Sequence, residues 1–270
     1  MTQNPNESVG IISEGKSYAK LGKHKDAISF FDKVLKADPL SLDALYNKGL
    51  SLIQLKKHKD AMACFEKMLD RDPNHVLALN NLGNLRAEQQ QFEIALGLYE
   101  KALKADPNNV PALYNKGVAE IGVGKYDEAL KCFNHVLSID SGNTSATYFK
   151  GLVLGKQKKH DDALSCFDTV MEKDPENFEA MFYKATSLAE LGRHQDAIAL
   201  FDKVLKNSPK NGTVLYSKAR CKAELGDDRE AMELLAQAIL YYGKTIKGWA
   251  TKDSVFNRLK DDARFKAVVK

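Results

Sequence analysis

Apolar and small residues recur along this chain at helical spacing, in short segments that polar turns separate. One such segment runs from Leu42 to Leu55, with apolar or small residues at every third or fourth position. A second segment, Asp60 to Asp70, repeats this spacing after the polar stretch from Lys56 to Lys59. Both segments lack proline and are rich in residues that favour helices. The pattern therefore predicts two helices joined by a short turn.

The predicted helix pair returns every 34 residues, which is typical of an array of one small unit. A column of alanines in the second helix consists of Ala27, Ala61, Ala95, Ala129, Ala163, Ala197 and Ala231. Four residues later, an aromatic column contains Phe31, Phe65, Tyr99, Phe133, Phe167 and Phe201, with Leu235 last. Proline disfavours helix at the residue before it, so we expect the second helices to end at Asp38, Asp72, Asp106 and Asp174, each of which precedes a proline.

A column of small residues lies in the middle of each first helix. It consists of Gly15, Gly49, Gly83, Gly117 and Gly151, followed by Ala185 and Ala219. Glycine inside a helix costs about 1 kcal/mol relative to alanine. Glycines in register therefore predict that a neighbouring helix approaches closely, with the aromatic column beside them.

These columns at this spacing resemble tetratricopeptide repeats. The segment Asn80–Asn84, together with Ala95, Tyr99, Ala102 and Pro107, is close to the consensus of that family. The resemblance implies an all-α fold: a right-handed α-solenoid, or superhelix, of stacked antiparallel helix pairs whose first helices line a concave groove. Several repeats depart from the consensus with a lysine just before the glycine column, at Lys48, Lys116 and Lys150. We expect the stems of these lysines to lie on apolar surface with their charged heads in water.

The resemblance divides the chain into three parts. Residues 1–7 are polar and expected to be disordered, residues 8–245 form seven repeats, and residues 246–270 form a C-terminal capping segment. An array of this kind leaves its last apolar face bare, so a cap is physically required. We expect the cap to use Trp249, Phe256, Leu259 and Phe265, and the alternative is that this aromatic tail is a docking motif for another protein.

Composition limits the partners and the cellular compartment that we expect for this chain. The net charge of +4 over 270 residues is slight and does not require an anionic partner such as a nucleic acid. We find no apolar segment long enough to cross a membrane and no signal-peptide pattern. The four cysteines, Cys64, Cys132, Cys166 and Cys221, fall in repeat columns and are too widely spaced for disulfides, so we expect buried thiols in a reducing cytoplasm.

Catalytic chemistry has little support in the sequence. Four histidines recur in register, at His24, His58, His160 and His194, but Phe92 and Tyr126 fill the same column in other repeats. The column therefore favours a flat ring used for packing over a metal or acid–base site. No phosphate-binding glycine loop or nucleophile motif is present. We expect no enzyme activity, no cofactor and no metal.

The first helices carry the best functional signal. Polar residues in one column include Asn47, Asn81 and Asn115, and Asn84 lies one turn further along its helix. A carboxamide both donates and accepts hydrogen bonds, so these side chains could hold a peptide backbone. The alternative is that they are retained for packing between helices.

An apolar strip adjoins the asparagines on the same predicted face. The strip consists of Tyr114, Val118, Tyr148 and Leu152. It suits an amphipathic helix or an apolar peptide, and the alternative is that its rings pack on neighbouring first helices. Tyr46, Phe182 and Tyr216 occupy the same column as Tyr114 and Tyr148 and are further candidates for the groove.

Together these features predict a non-catalytic scaffold or adaptor that binds a peptide or protein segment in the groove. A regulatory or targeting subunit of an enzyme complex is the alternative, and an RNA-binding helical repeat is a further one that the slight charge disfavours. We expect no nucleic-acid or membrane partner. Association of two copies through an exposed terminal repeat is also compatible with the sequence.

Overall fold

The computed structural model describes Pro5–Lys270, and helices account for about four-fifths of that range. Fifteen α-helices and one 3-10 helix follow one another, and the described residues contain no strand. Residues 1–4 of the predicted disordered segment lie outside the described residues. Residues 5–7 correct that prediction, because they form the first turn of a helix. Over the described range, no helix is both long and apolar enough to cross a membrane.

Contacts group the chain into two compact units, unit 1 (Met1–Ser141) and unit 2 (Gly142–Lys270). Unit 1 contains four helix pairs: α1 (Pro5–Lys20) with α2 (His24–Ala37), α3 (Leu42–Gln54) with α4 (His58–Arg71), α5 (Val76–Glu88) with α6 (Phe92–Ala105), and α7 (Val110–Gly122) with α8 (Tyr126–Ile139). Unit 2 contains α9 (Thr144–Lys156) with α10 (His160–Lys173), α11 (Phe178–Glu190) with α12 (His194–Asn207), and α13 (Gly212–Glu224) with α14 (Asp228–Lys252), then the 3-10 helix (Ser254–Leu259) and α15 (Ala263–Val269).

Within each unit the pairs stack side by side. Each helix contacts the next along the chain, and first helices of successive pairs also contact one another, as α1 does α3 and α11 does α13. The apolar faces of the helices are buried between these neighbours. The predicted all-α fold of antiparallel helix pairs is confirmed.

The helix ends follow the predicted chemistry and add one feature. The residues before the prolines cap the C-termini of their helices, as Asp38 and Asp72 do in extended backbone. The first helices begin at a column of caps that we did not predict. In this column Asn109, Asn143, Asn177 and Asn211 each accept a hydrogen bond from the backbone N–H three residues later. Such caps satisfy an amide that would otherwise be unpaired and typically contribute about 1 kcal/mol.

The glycine column is where two helices of one pair meet most closely. A Cβ placed on Gly83 would lie 2.6 Å from the Tyr99 ring, although Tyr99 is already 1% exposed. The same contact pairs Gly15 with Phe31, Gly49 with Phe65, Gly117 with Phe133 and Gly151 with Phe167, at 2.6 to 2.9 Å. The close approach predicted from the column is confirmed. The approaching group is the aromatic ring four residues after the alanine of the repeated alanine column.

Four lysines of the column before the small residues make a repeated link, which corrects our expectation of charged heads in water for Lys48 and Lys116. Each of the four amino groups forms an ion pair with a carboxylate sixteen residues earlier, on the second helix of the preceding pair. Lys150 has Asn134 at that spacing and so lacks the carboxylate. The pairs are Lys48–Asp32 (2.6 Å), Lys116–Glu100 (3.3 Å), Lys218–Asp202 (2.7 Å) and Lys184–Asp168. Because their carboxylates are about half exposed, each pair contributes at most about 1 kcal/mol.

The C-terminal residues fold back on the last helix pair. The axis of α14 breaks at Gly243, whose φ of +48° suits glycine, and the following residues cover α13. Phe256, Leu259 and Phe265 are buried in a cluster with both helices, as predicted for a cap. Trp249 differs from the prediction, since it is 42% exposed.

Glu120 is an exception in the core of unit 1. Its position corresponds to that of Leu52, two repeats earlier in the chain, yet the residue is 3% exposed and its Oε2 atom has no hydrogen-bond partner among the described residues. Burial raises the pKa of this carboxyl, since ionisation away from water is unfavourable.

We expect Glu120→Leu to stabilise the protein, by about 1 kcal/mol more at neutral pH than in mild acid. A raised pKa means that ionisation of the folded-state carboxyl costs stability as pH rises above its unfolded value of 4.5. Urea unfolding at about pH 7.5 and about pH 4.5 measures the effect. The control is Glu14→Leu on the exposed surface of α1. A pH-independent gain for Glu120→Leu would contradict this account.

We expect Gly83→Leu to lower stability by about 2–4 kcal/mol, because the new side chain has no space beside the Tyr99 ring. Circular dichroism during urea unfolding measures the loss. The matched control is Gly97→Leu, on α6 of the same pair, where an added Cβ meets nothing within 4 Å. That control should gain stability through helix propensity. Equal behaviour of the two variants would rule out the close-packing role.

Candidate functional site

The predicted site residues of unit 1 lie on one face of its first helices, which we call the unit 1 face. It consists of Tyr46, Asn47, Asn81, Asn84, Tyr114, Asn115 and Val118, and all seven are half-buried. A half-buried side chain is held in place by its neighbours and still presents atoms to a ligand. The hydrogen bonds of this face distinguish residues that serve packing from residues that retain binding capacity.

Asn47 and Asn81 have the same arrangement in successive pairs. Each Nδ2 donates to the carbonyl four residues earlier in its own helix, Asp43 at 2.7 Å and Leu77 at 2.8 Å. This bond fixes the rotamer of the carboxamide. Neither Oδ1 accepts a hydrogen bond from the described residues, so each remains an acceptor that is oriented and half-exposed.

Asn115 and Asn84 have packing partners instead. Asn115 Nδ2 donates to Asn80 Oδ1 at 3.0 Å, which links α7 to α5. Asn84 Oδ1 accepts a 2.7 Å hydrogen bond from the Tyr99 hydroxyl. Burial raises the pKa of Tyr99, so the hydroxyl keeps its proton and needs this acceptor. Tyr99 is the one tyrosine in a column that is otherwise phenylalanine or leucine, and Asn84 accompanies it.

The tyrosines of the unit 1 face pack on the aromatic column of their own pairs. The ring centroids of Tyr46 and Phe65 are 6.4 Å apart, and those of Tyr114 and Phe133 are 6.1 Å apart. Burial raises the pKa of the Tyr114 hydroxyl. These rings therefore rest on the second helix of the same pair. Their half-buried state leaves part of each ring available.

Unit 2 replaces asparagines with aromatic residues. Tyr148 packs on Phe167 and Phe182 on Phe201, with centroids 6.2 and 5.9 Å apart. Tyr183 extends this into a cluster, with its ring 6.1 Å from that of Tyr148. Phe149 and Tyr183 were not among the predicted site residues, although they occupy the column of Asn47 and Asn81. We call the corresponding surface of unit 2 the unit 2 face; it consists of half-buried Tyr148, Phe149, Leu152, Phe182 and Tyr183. This face is more apolar than the unit 1 face.

Tyr216 does not belong to the accessible part of the unit 2 face. It is 8% exposed, because the C-terminal residues lie over it. Its ring packs 5.5 Å from Trp249 and 6.0 Å from Phe256, and its hydroxyl donates to Asp253 at 2.7 Å. Sequence reasoning missed this burial because the covering residues lie more than thirty positions away.

Clefts recur at equivalent positions between successive first helices. The cleft between α1 and α3 has a volume of ≈ 500 Å³, and Lys16, Lys20, Asn47 and Gln54 line it. The cleft between α9 and α11 measures ≈ 290 Å³, and the cleft between α11 and α13 measures ≈ 270 Å³. Three clefts in one register provide places where side chains of an extended ligand could enter.

Each of these clefts also borders one histidine of the predicted column: His24, His160 and His194. Their Nδ1 atoms are buried and have no partner among the described residues, whereas His58 Nδ1 lies 3.3 Å from Glu88. The described part of the chain contains no group of three potential metal ligands. The geometry thus assigns each histidine to a separate cleft wall.

The cysteines are buried and unpaired. Burial raises the pKa of Cys64, Cys132 and Cys166, and raises that of Cys221 to about 11. All four are therefore protonated at neutral pH, and a protonated thiol is a poor nucleophile.

Comparisons with known proteins bear on the family. Two tetratricopeptide repeat models match residues 148–212 and 188–252, and the model for the N-terminal tetratricopeptide repeat region of Psidin matches residues 18–129. No curated protein matches the chain significantly.

Several solved structures share the fold. A tetratricopeptide repeat protein from Parabacteroides merdae is 18% identical, with 98% of this chain and 100% of that chain covered and a TM-score of 0.68. PilF from Pseudomonas aeruginosa is 20% identical, with 75% and 92% covered and a TM-score of 0.67. YrrB, described as a tetratricopeptide repeat protein with an unusual peptide-binding site, is 26% identical, with 70% and 98% covered and a TM-score of 0.57.

We expect Asn84→Leu to destabilise the protein by about 1–3 kcal/mol, because it leaves the buried Tyr99 hydroxyl without an acceptor. The double variant Asn84→Leu/Tyr99→Phe should recover most of this loss, since it reproduces the combination of Leu50 with Phe65. A double-mutant cycle by urea unfolding measures the coupling. Additive effects would show that the bond contributes nothing.

Proposed function

Because the chain belongs to the tetratricopeptide repeat family, we propose that it is a non-catalytic scaffold that binds a peptide or protein segment along its first helices. Tetratricopeptide repeat proteins generally act as scaffolds for protein–protein interaction. The observation that carries the proposal is the pair of oriented carboxamides, Asn47 and Asn81, whose Oδ1 atoms accept nothing from the described residues. YrrB supports it as a similar protein with a peptide-binding site.

The proposed binding mode uses two kinds of contact. On the unit 1 face, backbone N–H groups of an extended peptide would donate to Asn47 and Asn81, a contact that holds a chain without selecting its side chains. The adjoining cleft would take a side chain, and Lys16 and Lys20 at its wall favour an acidic one. On the unit 2 face, Tyr148, Phe182 and Tyr183 would contact apolar side chains of the same or another segment.

Asn115 and Asn84 have a lesser role in this proposal, because their carboxamides already bond within the protein. Val118 and Leu152 contribute apolar surface beside the tyrosines. We keep the cytoplasm as the proposed setting, since four unpaired thiols suit a reducing compartment.

We expect the double variant Asn47→Ala/Asn81→Ala to lose at least about tenfold in affinity for the physiological partner, since two hydrogen bonds of about 1 kcal/mol each disappear. Affinity capture from a lysate of the source organism, quantified by mass spectrometry, identifies proteins that wild type retains and the variant does not. Circular dichroism verifies that the variant is folded.

The matched control is Asn74→Ala/Asn207→Ala, which removes two exposed asparagines that lie away from the unit 1 face. It should capture the same proteins as wild type. Equal recovery by the Asn47/Asn81 variant would rule out this binding mode. The identity of the captured protein separates a general scaffold from a regulatory subunit, because a regulatory subunit would retain a catalytic partner.

A further inference from the structure

The first-helix face of the last helix pair is already occupied, by residues of the same chain. Asp253 follows the end of α14, and its Oδ2 lies 2.7 Å from the Tyr216 hydroxyl and 2.8 Å from Arg220 Nε. Tyr216 and Arg220 are one turn apart on α13, at the positions that carry Tyr46 and Leu50 on α3. The Asp253 side chain is 14% exposed. The carboxylate thus accepts a hydrogen bond from the phenol, a bond that its charge strengthens, and forms an ion pair with the guanidinium. The Arg220 Nε atom makes no hydrogen bond in this geometry, and its Nη1 donates to Glu190 at 3.4 Å.

The next residues continue along the same face. Val255, two residues after Asp253, lines the cleft between α11 and α13 together with Thr186, Ser217 and Arg220. The equivalent cleft between α9 and α11 has the same lining positions but is lined by its helix pairs alone. Val255 therefore occupies the position that a side chain of a bound peptide would take in this cleft.

This carboxylate site is confined to the last pair. Arg220 is replaced at equivalent positions by Leu50, Asn84, Val118, Leu152 and Thr186, and the first pair combines Lys16 with Ile12 in place of a tyrosine. Only α13 joins a tyrosine to a cation one turn away. The acidic residue that faces this pair is supplied by the chain itself.

We infer that Asp253–Val255 is an internal ligand, and that Tyr216, Arg220 and the adjoining cleft form a binding site for a peptide that carries an aspartate in the pattern Asp-x-Val. This inference rests on the proposed function, since it makes the last pair one position of the peptide-binding face. The internal ligand and an external peptide of this pattern compete for the same carboxylate site. The protein is therefore self-inhibited at this position until the segment opens.

The attachment of the segment suits displacement. Asp253 caps a six-residue 3-10 helix that contains Val255, and such helices have weaker hydrogen-bond geometry than α-helices. Phe256 and Leu259 of this helix are buried in the core, so displacement concerns Asp253–Val255 alone. On either side of the site, exposed Trp249 and Arg258, which bonds Asp228 and the Ala223 carbonyl, hold the segment. A ligand tethered in this way competes at an effective concentration in the millimolar range, which lowers the apparent affinity of an external peptide without abolishing it.

The test uses the full chain and a fluorescent peptide that copies residues 250–260, Ala-Thr-Lys-Asp-Ser-Val-Phe-Asn-Arg-Leu-Lys. Asp253→Asn weakens the internal ligand, so we expect this variant to bind the peptide about tenfold more tightly than wild type, by fluorescence anisotropy. A peptide with Asn in place of its Asp should lose this gain. The variant Asp253→Asn/Arg220→Gln should lose it as well, because it removes the cation that binds the carboxylate.

The matched control is Asp262→Asn, which removes a carboxylate that pairs with Arg264 in the same C-terminal region, keeps an oxygen able to cap α15, and leaves Tyr216 and Arg220 untouched. It should bind the peptide as wild type does. If folded Asp253→Asn binds no more tightly than wild type and Asp262→Asn, the segment is only a cap and the inference is wrong.

Hydrogen exchange on wild type provides a second measurement that needs no variant. Excess peptide should accelerate exchange of the Val255 amide, which donates to Asp253 Oδ1, because displacement of Asp253 and Val255 breaks this bond while Phe256 and Leu259 stay buried. Unchanged exchange at millimolar peptide would overturn the inference even if Asp253→Asn did not fold. If the peptide does not bind at Tyr216 and Arg220 but protein capture still depends on Asn47 and Asn81, the inference of an internal ligand is wrong and the proposed function is unaffected.

Discussion

The contact between an aromatic ring and the small residue facing it is the constraint on which the rest of this structure depends. In five pairs the ring lies against a glycine so closely that a single methyl group would displace it. This contact sets the separation of the two helices within a pair. It also determines the outward direction of the first helix, and therefore which residues can reach a ligand.

A repeated core allows a varied surface. The aromatic and small columns hardly change between pairs, because each pair must bury the same face against the same kind of neighbour. The outward columns are free of that requirement, and they change from asparagines in unit 1 to aromatic side chains in unit 2. One scaffold thus presents a hydrogen-bonding surface and an apolar surface, while the last pair presents a cation.

The fold could be predicted from the sequence because the alanine, aromatic and small residues that pack one helix pair recur at the same positions in successive repeats. It was less informative about the site, where hydrogen bonds depend on rotamers and on distant residues. Nothing local distinguishes Asn81, whose Oδ1 stays available, from Asn84, whose Oδ1 is occupied by Tyr99. A cap over the last pair was expected from the sequence, but the contact of Asp253 and Trp249 with Tyr216 on the first-helix face was not, because these residues are more than thirty positions apart.

The lysine–carboxylate link has a consequence for how such a chain can change length. Each of these lysines pairs with a carboxylate of the preceding pair, sixteen residues earlier, and Lys218 also pairs with Glu230 of its own pair. Removing the 34 residues 176–209 would therefore bring Lys218 into the same spacing from Asp168 that Lys184 has now. The joint between neighbours would be rebuilt by residues already present. Whole repeats can thus be gained or lost by unequal recombination without new residues at the contact between neighbouring pairs.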